Sequence, residues 1–267
     1  MCAGNWAASI PWLDCHCLTL SVKLRPKIMC ARYSAAKDLA DFAKFFNFVC
    51  RVAFFAPRYN IAPTQSAPVI SYEKNQPVLK MMRWGLIPKW AKDETIGSRL
   101  INARRETLQE KPSFKTALKE RRCLIPADSF YEWKDVNGKK QPYRIMFKSG
   151  EIFCFAGVWE RWVKPKRTDD FFVNDIDQEP NPDQIIDSFT IITTKANSTI
   201  QPLHDRMPLI VEPEHYDWWL DSRPGHEMYK SVLDHCLEAP MKIYPVSPMV
   251  NNARVDSSDC IKPYRIS

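Results

Sequence analysis

One strand–break–strand pattern constrains the fold more than any other stretch of this chain. Residues 121–125 begin with two arginines and continue as an apolar run, and residues 129–133 form an aromatic run. Pro126 and Asp128 separate the two runs, because proline cannot donate a ladder hydrogen bond and aspartate favours turns. The pattern therefore predicts two successive β-strands with a sharp break between them.

The aromatic run contains one carboxylate, Glu132. Side chains alternate between the two faces of a strand, so Glu132 points away from Tyr131 and Trp133 and shares a face with Phe130. On an inward face, a carboxylate is costly unless it is paired or used. The structural alternative is an outward Glu132 on a half-buried strand, and this stretch by itself favours that alternative.

Composition excludes several fold classes. The 267 residues are 45% hydrophobic, which is enough for one substantial core. Glycine is scarce at 7 residues and neither common glycine-rich nucleotide-binding motif occurs, whereas the 21 prolines suit short strands with irregular connections. The net charge of +7 is compatible with a nucleic-acid partner without requiring one.

The nine cysteines indicate reduced thiols in an intracellular protein, because their number is odd and their spacing forms no disulfide framework. No pair has the spacing of an ordinary zinc site. No run of about 18 apolar residues is present, so we expect no membrane span.

Local patterns predict the remaining elements. Ser34 is expected to cap a helix that ends near Phe48. Strands are expected at Pro68–Tyr72 and Val78–Trp84, and Asn137-Gly138 predicts a hairpin turn. Residues 164–187 contain seven acidic residues and three prolines, which indicates a solvated surface insertion.

Residues 1–28 differ in character from the rest of the chain. Their basic residues follow the apolar stretch instead of preceding it, which is a poor pattern for a secretory signal. Three interpretations stay open: a mis-assigned translation start, a disordered leader, or a pro-segment that must be removed.

Five motifs in a fixed order make the chain resemble the SRAP family, named for SOS-response-associated peptidases. They are Met29–Arg32, Arg58–Pro63, Trp84–Leu86 with Ile101–Arg104, Pro126–Trp133 and His204–Pro208. The resemblance covers roughly residues 29–262. It implies one α+β domain over residues 29–267, with a curved, barrel-like and mainly antiparallel β core, a few flanking helices and a basic cleft.

The resemblance also implies a function and a set of residues. Family members bind single-stranded DNA and link covalently to abasic sites through an N-terminal cysteine, so we expect self-processing that exposes Cys30, with lyase activity as a further expectation. Here Ala31 stands where the family usually has glycine. The expected catalytic residues are Cys30, Asn102, Glu132 and His204. The expected DNA-binding residues are Arg32, Asn60, Trp84, Trp90 and Arg104.

The roles follow from the chemistry of these groups. An N-terminal cysteine offers an amine and a thiol that together convert an aldehyde into a thiazolidine. Glu132 is suited to hold or deprotonate the amine, and His204 to donate a proton to the sugar oxygen. Asn102 can orient the nucleotide. The arginines are candidates for flanking phosphates, and the two tryptophans for base stacking.

Structural alternatives exist for each role. His204 could form a structural pair with Asp205, Asn102 could cap a turn, and Arg104 could pair with Glu106. Core packing is the expected role of at least one of the two tryptophans.

Three functions therefore compete. The first is crosslinking to abasic single-stranded DNA, the second is a thiol peptidase in which Cys30 and His204 attack other proteins, and the third is a non-catalytic single-strand-binding module. We expect a cytoplasmic monomer, associated with the nucleoid if bacterial, without cofactor, metal or membrane.

Overall fold

In this computed structural model, the described residues are 31–37, 41, 48–52, 55–74, 76–165, 182–235 and 237–266. The leader, Cys30, most of the predicted helix after Ser34 and most of the acidic insertion therefore lie outside the described residues. The strands run in chain order as β1 Tyr33–Ala35, β2 Val49–Cys50, β3 Arg58–Ile61, β4 Ser66–Glu73, β5 Gln76–Trp84, β6 Asn102–Arg104, β7 Arg122–Ala127, β8 Ser129–Val136, β9 Lys139–Phe147, β10 Phe153–Val163, β11 Ile185–Lys195, β12 Arg206–Pro208, β13 Ile210–Val211 and β14 Met241–Pro245.

Five strands close into a barrel. The ring runs β5–β4–β7–β10–β11 through antiparallel pairings and closes where β11 pairs with β5 in parallel, with Phe189 opposite Trp84. The short strands β2, β6, β12 and β13 extend this sheet. The expected curved, mainly antiparallel β core is confirmed.

A second sheet of five strands, in the order β14–β9–β8–β1–β3, continues from the barrel through Asp128, which separates β7 from β8. Both sheets bury side chains in one hydrophobic cluster, which we call the main core. Its large members include Tyr33, Trp84, Phe130, Phe155 and Phe189. Several of the aromatic rings meet edge to face, as in Tyr33–Trp84 at 5.2 Å and Phe130–Phe155 at 6.1 Å between centroids.

Short helices cover another face of the barrel. The α-helices whose bounds the structure describes are α1 Pro112–Glu120, α2 Tyr216–Leu220 and α3 Tyr229–Asp234. Six short 3₁₀ segments accompany them: Glu94–Arg99, Arg105–Thr107, Pro182–Gln184, Pro213–His215, Pro248–Asn251 and Ser258–Ile261. The α-helices share a second hydrophobic cluster with the outward side chains of the barrel strands. Within the described ranges, no helix is long and apolar enough to cross a membrane.

The hairpin at Asn137-Gly138 is confirmed, since both residues have positive φ (51° and 76°) between β8 and β9. The prediction that Ser34 caps a helix is wrong. Ser34 lies in β1, fully buried, and its hydroxyl donates to the Asp128 carboxylate at 2.6 Å. The surface insertion also ends earlier than predicted, because residues 185–187 already belong to β11.

A close backbone approach fixes the segment that leads to β6. Gly85 has φ +121°, and a Cβ there would lie 2.5 Å from the carbonyl oxygen of Gly97. The Gly85 amide donates to Phe189 O at 2.8 Å, so the backbone has little freedom to yield.

We therefore expect Gly85→Ala to lower the free energy of unfolding by roughly 1–3 kcal/mol, as overpacked and strained positions do. The control is Gly150→Ala, which also has a positive φ, of +75°, but open space around it. Urea denaturation of both variants compares the two effects. Equal losses would show that the Gly85–Gly97 approach carries no special constraint.

Candidate active site

Glu132 is buried, as its strand pattern allows. Phe130 packs in the main core, whereas Tyr131 and Trp133 pack in a separate cluster on the opposite face of β8. Glu132 therefore shares the inward face with Phe130, and only 2% of it is exposed. The outward alternative is excluded, and the carboxylate is not without an interaction partner.

The N-terminal segment runs beside this strand. Tyr33 and Ser34 of β1 lie opposite Phe130 and Ser129 in antiparallel register, and the Tyr131 amide donates to Arg32 O at 3.1 Å. Ala31, the first described residue, is half-buried and packs against the main core. The predicted nucleophile Cys30 lies outside the described residues.

Asn102 begins β6, a short strand at the wall of the barrel. It lies opposite Ile191 in the parallel pairing of β6 with β11, and it is half-buried. The preceding residue is held from two sides, because Ile101 O accepts from the Trp84 indole at 2.8 Å and from the Ile191 amide at 3.1 Å. Asn102 is thus placed by its strand and not by a turn, and its side chain has an interaction partner.

His204 lies in the turn between β11 and β12 and is 3% exposed. Its Nδ1 accepts from the Arg206 amide at 3.0 Å, so the neutral ring carries its proton on Nε2. Nδ1 also lies 2.9 Å from the Asp205 carboxylate, whose side chain is 82% exposed. A single Nδ1 cannot serve both partners, and the carboxylate is suited to the doubly protonated ring.

The candidate residues lie next to or near members of the main core. Those members are Ala31, Ile101, Phe130 and Leu203, which pack into or against it. Chain segments that are far apart in sequence therefore meet the same hydrophobic cluster.

Arg206 links two of these segments, although the sequence analysis did not single it out. Its guanidinium bonds Glu106 at 2.8 Å and Thr193 O at 2.6 Å, while its amide fixes the ring of His204. The only available signal was its position two residues after His204. Because Glu106 pairs with Arg206, the alternative pairing of Glu106 with Arg104 is not observed.

Two of the predicted DNA-binding residues require correction. Trp84 is fully buried and stacks on Phe189 with centroids 6.4 Å apart, so no base can reach its faces. Asn60 is also fully buried, and its amide donates to the carbonyl oxygens of Val250, Asn252 and Val255. Both residues are part of the core scaffold.

Residues 29–253 match the family described as SRAP, SOS response associated peptidase. The chain belongs to the SRAP family. It is 40% identical over 240 residues to the abasic site processing protein YoqW of Bacillus subtilis (strain 168), and the match covers 88% of this chain and 100% of the relative. It is 34% identical over 237 residues to the abasic site processing protein HMCES of Rattus norvegicus, covering 78% and 65% of the two chains.

The SRAP chain also resembles solved structures. A crystal structure of a protein from Bacteroides thetaiotaomicron superposes with a TM-score of 0.72 at 23% identity, covering 88% of this chain and 100% of that chain. At this identity the likeness is one of fold.

Two further DNA-binding candidates of this SRAP chain, Arg104 and Trp90, lie at different levels along the barrel. Arg104 is exposed at the end of β6, opposite Thr193. Trp90 is 59% exposed, and the adjoining Ala91 O accepts from Trp162, which lies opposite Ile186. Ile191, the partner of Asn102, lies five positions after Ile186 in β11, so these levels are roughly 16 Å apart along the strand.

Trp90 also borders a cavity of about 480 Å³ lined by Lys92, Ile96 and Arg99 among others. An exposed indole beside cationic side chains is suited to contact a nucleic acid at a distance from Asn102. Among the described residues of the SRAP chain, no group of three or more histidine, cysteine or acidic side chains is arranged to hold a metal ion.

Proposed function

We propose that this protein processes abasic sites in DNA by forming a covalent thiazolidine with the damaged sugar through Cys30 at the N-terminus. The observation that carries the proposal is the buried Glu132 carboxylate on β8, the strand that pairs with the segment following Cys30. The names of the SRAP relatives, which are abasic site processing proteins, support the substrate.

The proposed reaction needs both nucleophiles of one cysteine. An abasic sugar opens to an aldehyde, and the α-amine of Cys30 condenses with it to an imine with loss of one water. The thiolate then adds to the imine carbon and the nitrogen takes up the proton, which closes a five-membered ring. An α-amine has an ordinary pKa near 7.7–8.0, so a useful fraction is neutral at pH 7.

Because only an N-terminal cysteine has this amine, we propose that the active form begins at Cys30. Either translation starts at Met29 or self-cleavage breaks the Met29–Cys30 bond. Self-cleavage would use the same thiol and the same neighbouring groups, which is the peptidase activity that we propose for the site.

Glu132 and His204 divide the proton transfers. Continuing the β1–β8 register by two residues puts Ala31 opposite Glu132, whose carboxylate is buried. We assign the α-amine to Glu132. The Arg206 amide holds His204 through Nδ1, and we assign to the imidazole proton donation to the sugar oxygen.

The substrate is held by groups around this centre. Asn102 provides an amide to orient the abasic nucleotide, and Arg104 provides a cation for a flanking phosphate. Trp90 provides an exposed ring for a more distant base. These contacts favour single-stranded DNA of any sequence, because phosphates and ring faces carry little sequence information.

Incubation with an abasic single-stranded oligonucleotide tests the proposal and separates its rivals. A covalent product that survives denaturing electrophoresis supports abasic-site crosslinking. Cleavage of unrelated proteins without a covalent DNA product would instead indicate a thiol peptidase. Reversible binding with neither reaction would indicate a binding module.

We also expect binding to undamaged single strands to weaken with salt, with a slope near −0.7 per phosphate contacted. Arg104→Ala should move that slope toward zero by about 0.7. The control Arg223→Ala removes the same charge just after α2, where Arg223 pairs with Asp221, and should leave the slope unchanged. Fluorescence anisotropy across a salt series measures both. Equal slopes for Arg104→Ala and the unmodified protein would remove Arg104 from the interface.

A further inference from the structure

Arg32 is bound by protein oxygen atoms far away in the sequence. Its Nη1 donates to Asn60 Oδ1 at 3.0 Å and to Val250 O at 2.5 Å, and its Nη2 donates to Asn251 O at 3.1 Å. Burial lowers the pKa of the Arg32 guanidinium below its ordinary value. Three hydrogen bonds donated by the Arg32 guanidinium are therefore made to protein oxygen atoms.

Two of the three acceptors belong to one loop, residues 250–256, which we call the C-terminal loop. Asn60 holds the same loop, because its amide donates to the carbonyl oxygens of Val250, Asn252 and Val255. Asp256 accepts from the amides of Tyr59 and Asn60 at 2.6 and 3.0 Å. The Trp133 indole donates to Asn251 Oδ1 at 2.7 Å. The C-terminal loop is thereby fixed to β3 and β8 at once.

This arrangement has a consequence for the segment that starts at Cys30. Arg32 lies two residues after Cys30, and its carbonyl already accepts from Tyr131, next to Glu132. The backbone hydrogen bond from Tyr131 sets the register of Arg32 beside β8. The Arg32 side chain binds the same residue to the C-terminal loop. A residue held by both its main chain and its side chain has a defined position and orientation.

We propose that Arg32 is a positioning residue, which fixes the segment beginning at Cys30 against the C-terminal loop, and that it is not a phosphate contact. This inference rests on the proposed function, because position matters only if Cys30 reacts. It also replaces the sequence-based expectation that Arg32 binds DNA. Small displacements of a reacting group, of about 1 Å, can cost roughly 100-fold in rate.

Arg32→Lys separates the two roles. Lysine keeps the charge that a phosphate contact needs, but its single ammonium cannot reproduce the planar fork that reaches Asn60, Val250 and Asn251 together. Asn60→Ser removes side-chain hydrogen bonds to the same loop. Because Asn60 is fully buried, this change cannot remove a contact with DNA. Both are made in the chain that begins at Cys30, and circular dichroism with thermal unfolding verifies that each is folded.

Three readouts are compared with the unmodified protein. They are the crosslinking rate at saturating abasic single-stranded DNA, the salt slope for undamaged DNA, and the rate of reaction with excess glycolaldehyde. We expect Arg32→Lys and Asn60→Ser to lower the crosslinking rate at least 10-fold. The salt slope should stay unchanged, because it does not depend on where the cysteine lies. The glycolaldehyde rate should fall less than the crosslinking rate, because a free aldehyde can follow a displaced cysteine whereas the sugar of bound DNA cannot.

The outcomes are distinct. Unmodified crosslinking in both folded variants overturns the positioning role, as does a fall in the glycolaldehyde rate equal to the fall with DNA. A crosslinking rate kept by Arg32→Lys, together with a salt slope reduced by about 0.7 in Arg32→Ala, would make Arg32 a phosphate contact. Failure of the unmodified protein to crosslink would refute the proposed function itself.

Discussion

Replacing Glu132 by glutamine is expected to slow covalent capture of an abasic single strand by about 10²- to 10⁴-fold, the usual contribution of a general acid–base group. Glutamine keeps the size of the side chain but cannot take a proton from the α-amine. Because Glu132 is only 2% exposed, solvent cannot substitute for the lost carboxylate. Self-processing at Met29–Cys30 should slow with it. The control is Glu110→Gln, an exposed glutamate remote from β8 in sequence.

His204→Ala should have a different signature. Loss of the Nε2 proton donor should slow ring opening of the sugar and reversal of the product, while the Cys30 product, once formed, stays stable. A time course of capture and release, followed on denaturing gels, distinguishes the two variants. Rates equal to those of the unmodified protein in both variants would reduce Glu132 and His204 to structural residues and favour a binding module.

Replacing Arg122 by alanine is expected to cause a large stability loss. The side chain is 1% exposed and donates to Leu118 O and Lys119 O at the end of α1, and to Trp219 O and Asp221 O at the end of α2. Burial lowers the pKa of Arg122 to about 10, so it is charged at pH 7. Removal leaves several buried carbonyl oxygens without a donor, at about 1–3 kcal/mol each.

We therefore expect Arg122→Ala to lose at least about 3 kcal/mol of unfolding free energy in urea denaturation. Arg122→Lys should recover little, because one ammonium cannot reach acceptors at two helix ends. The control is Lys119→Ala, which removes an exposed charge in the last turn of α1. A loss for Arg122→Ala no larger than that of the control would show that water replaces the guanidinium at the helix ends.

Local patterns in the sequence were sufficient to predict the two strands that adjoin the candidate site. The break at Asp128 separates β7 from β8, and alternation along β8 puts Glu132 on the face of Phe130. These features depend on chain periodicity alone, which a sequence displays directly.

Features that depend on distant contacts could not be predicted in this way. The polar residue Asn60 is a core residue because carbonyl oxygens some 190 residues later turn toward it. Ser34 joins a strand because its hydroxyl meets Asp128 across β8. Phe189 covers Trp84 because β5 and β11 pair in parallel and thereby complete the barrel. No local sequence pattern predicts this pairing.

The most direct test of the account is the intact mass of the natural protein before and after reaction with an abasic single-stranded oligonucleotide. We expect a free protein that begins at Cys30 and an adduct equal to the sum of the two masses less one water. Borohydride should add no hydrogen to this adduct, because a thiazolidine contains no imine, whereas the adduct of Cys30→Ala should be trapped only when borohydride is present. A reactive protein that retains residues 1–29, or an adduct that Cys30→Ala forms equally well without borohydride, would contradict the account.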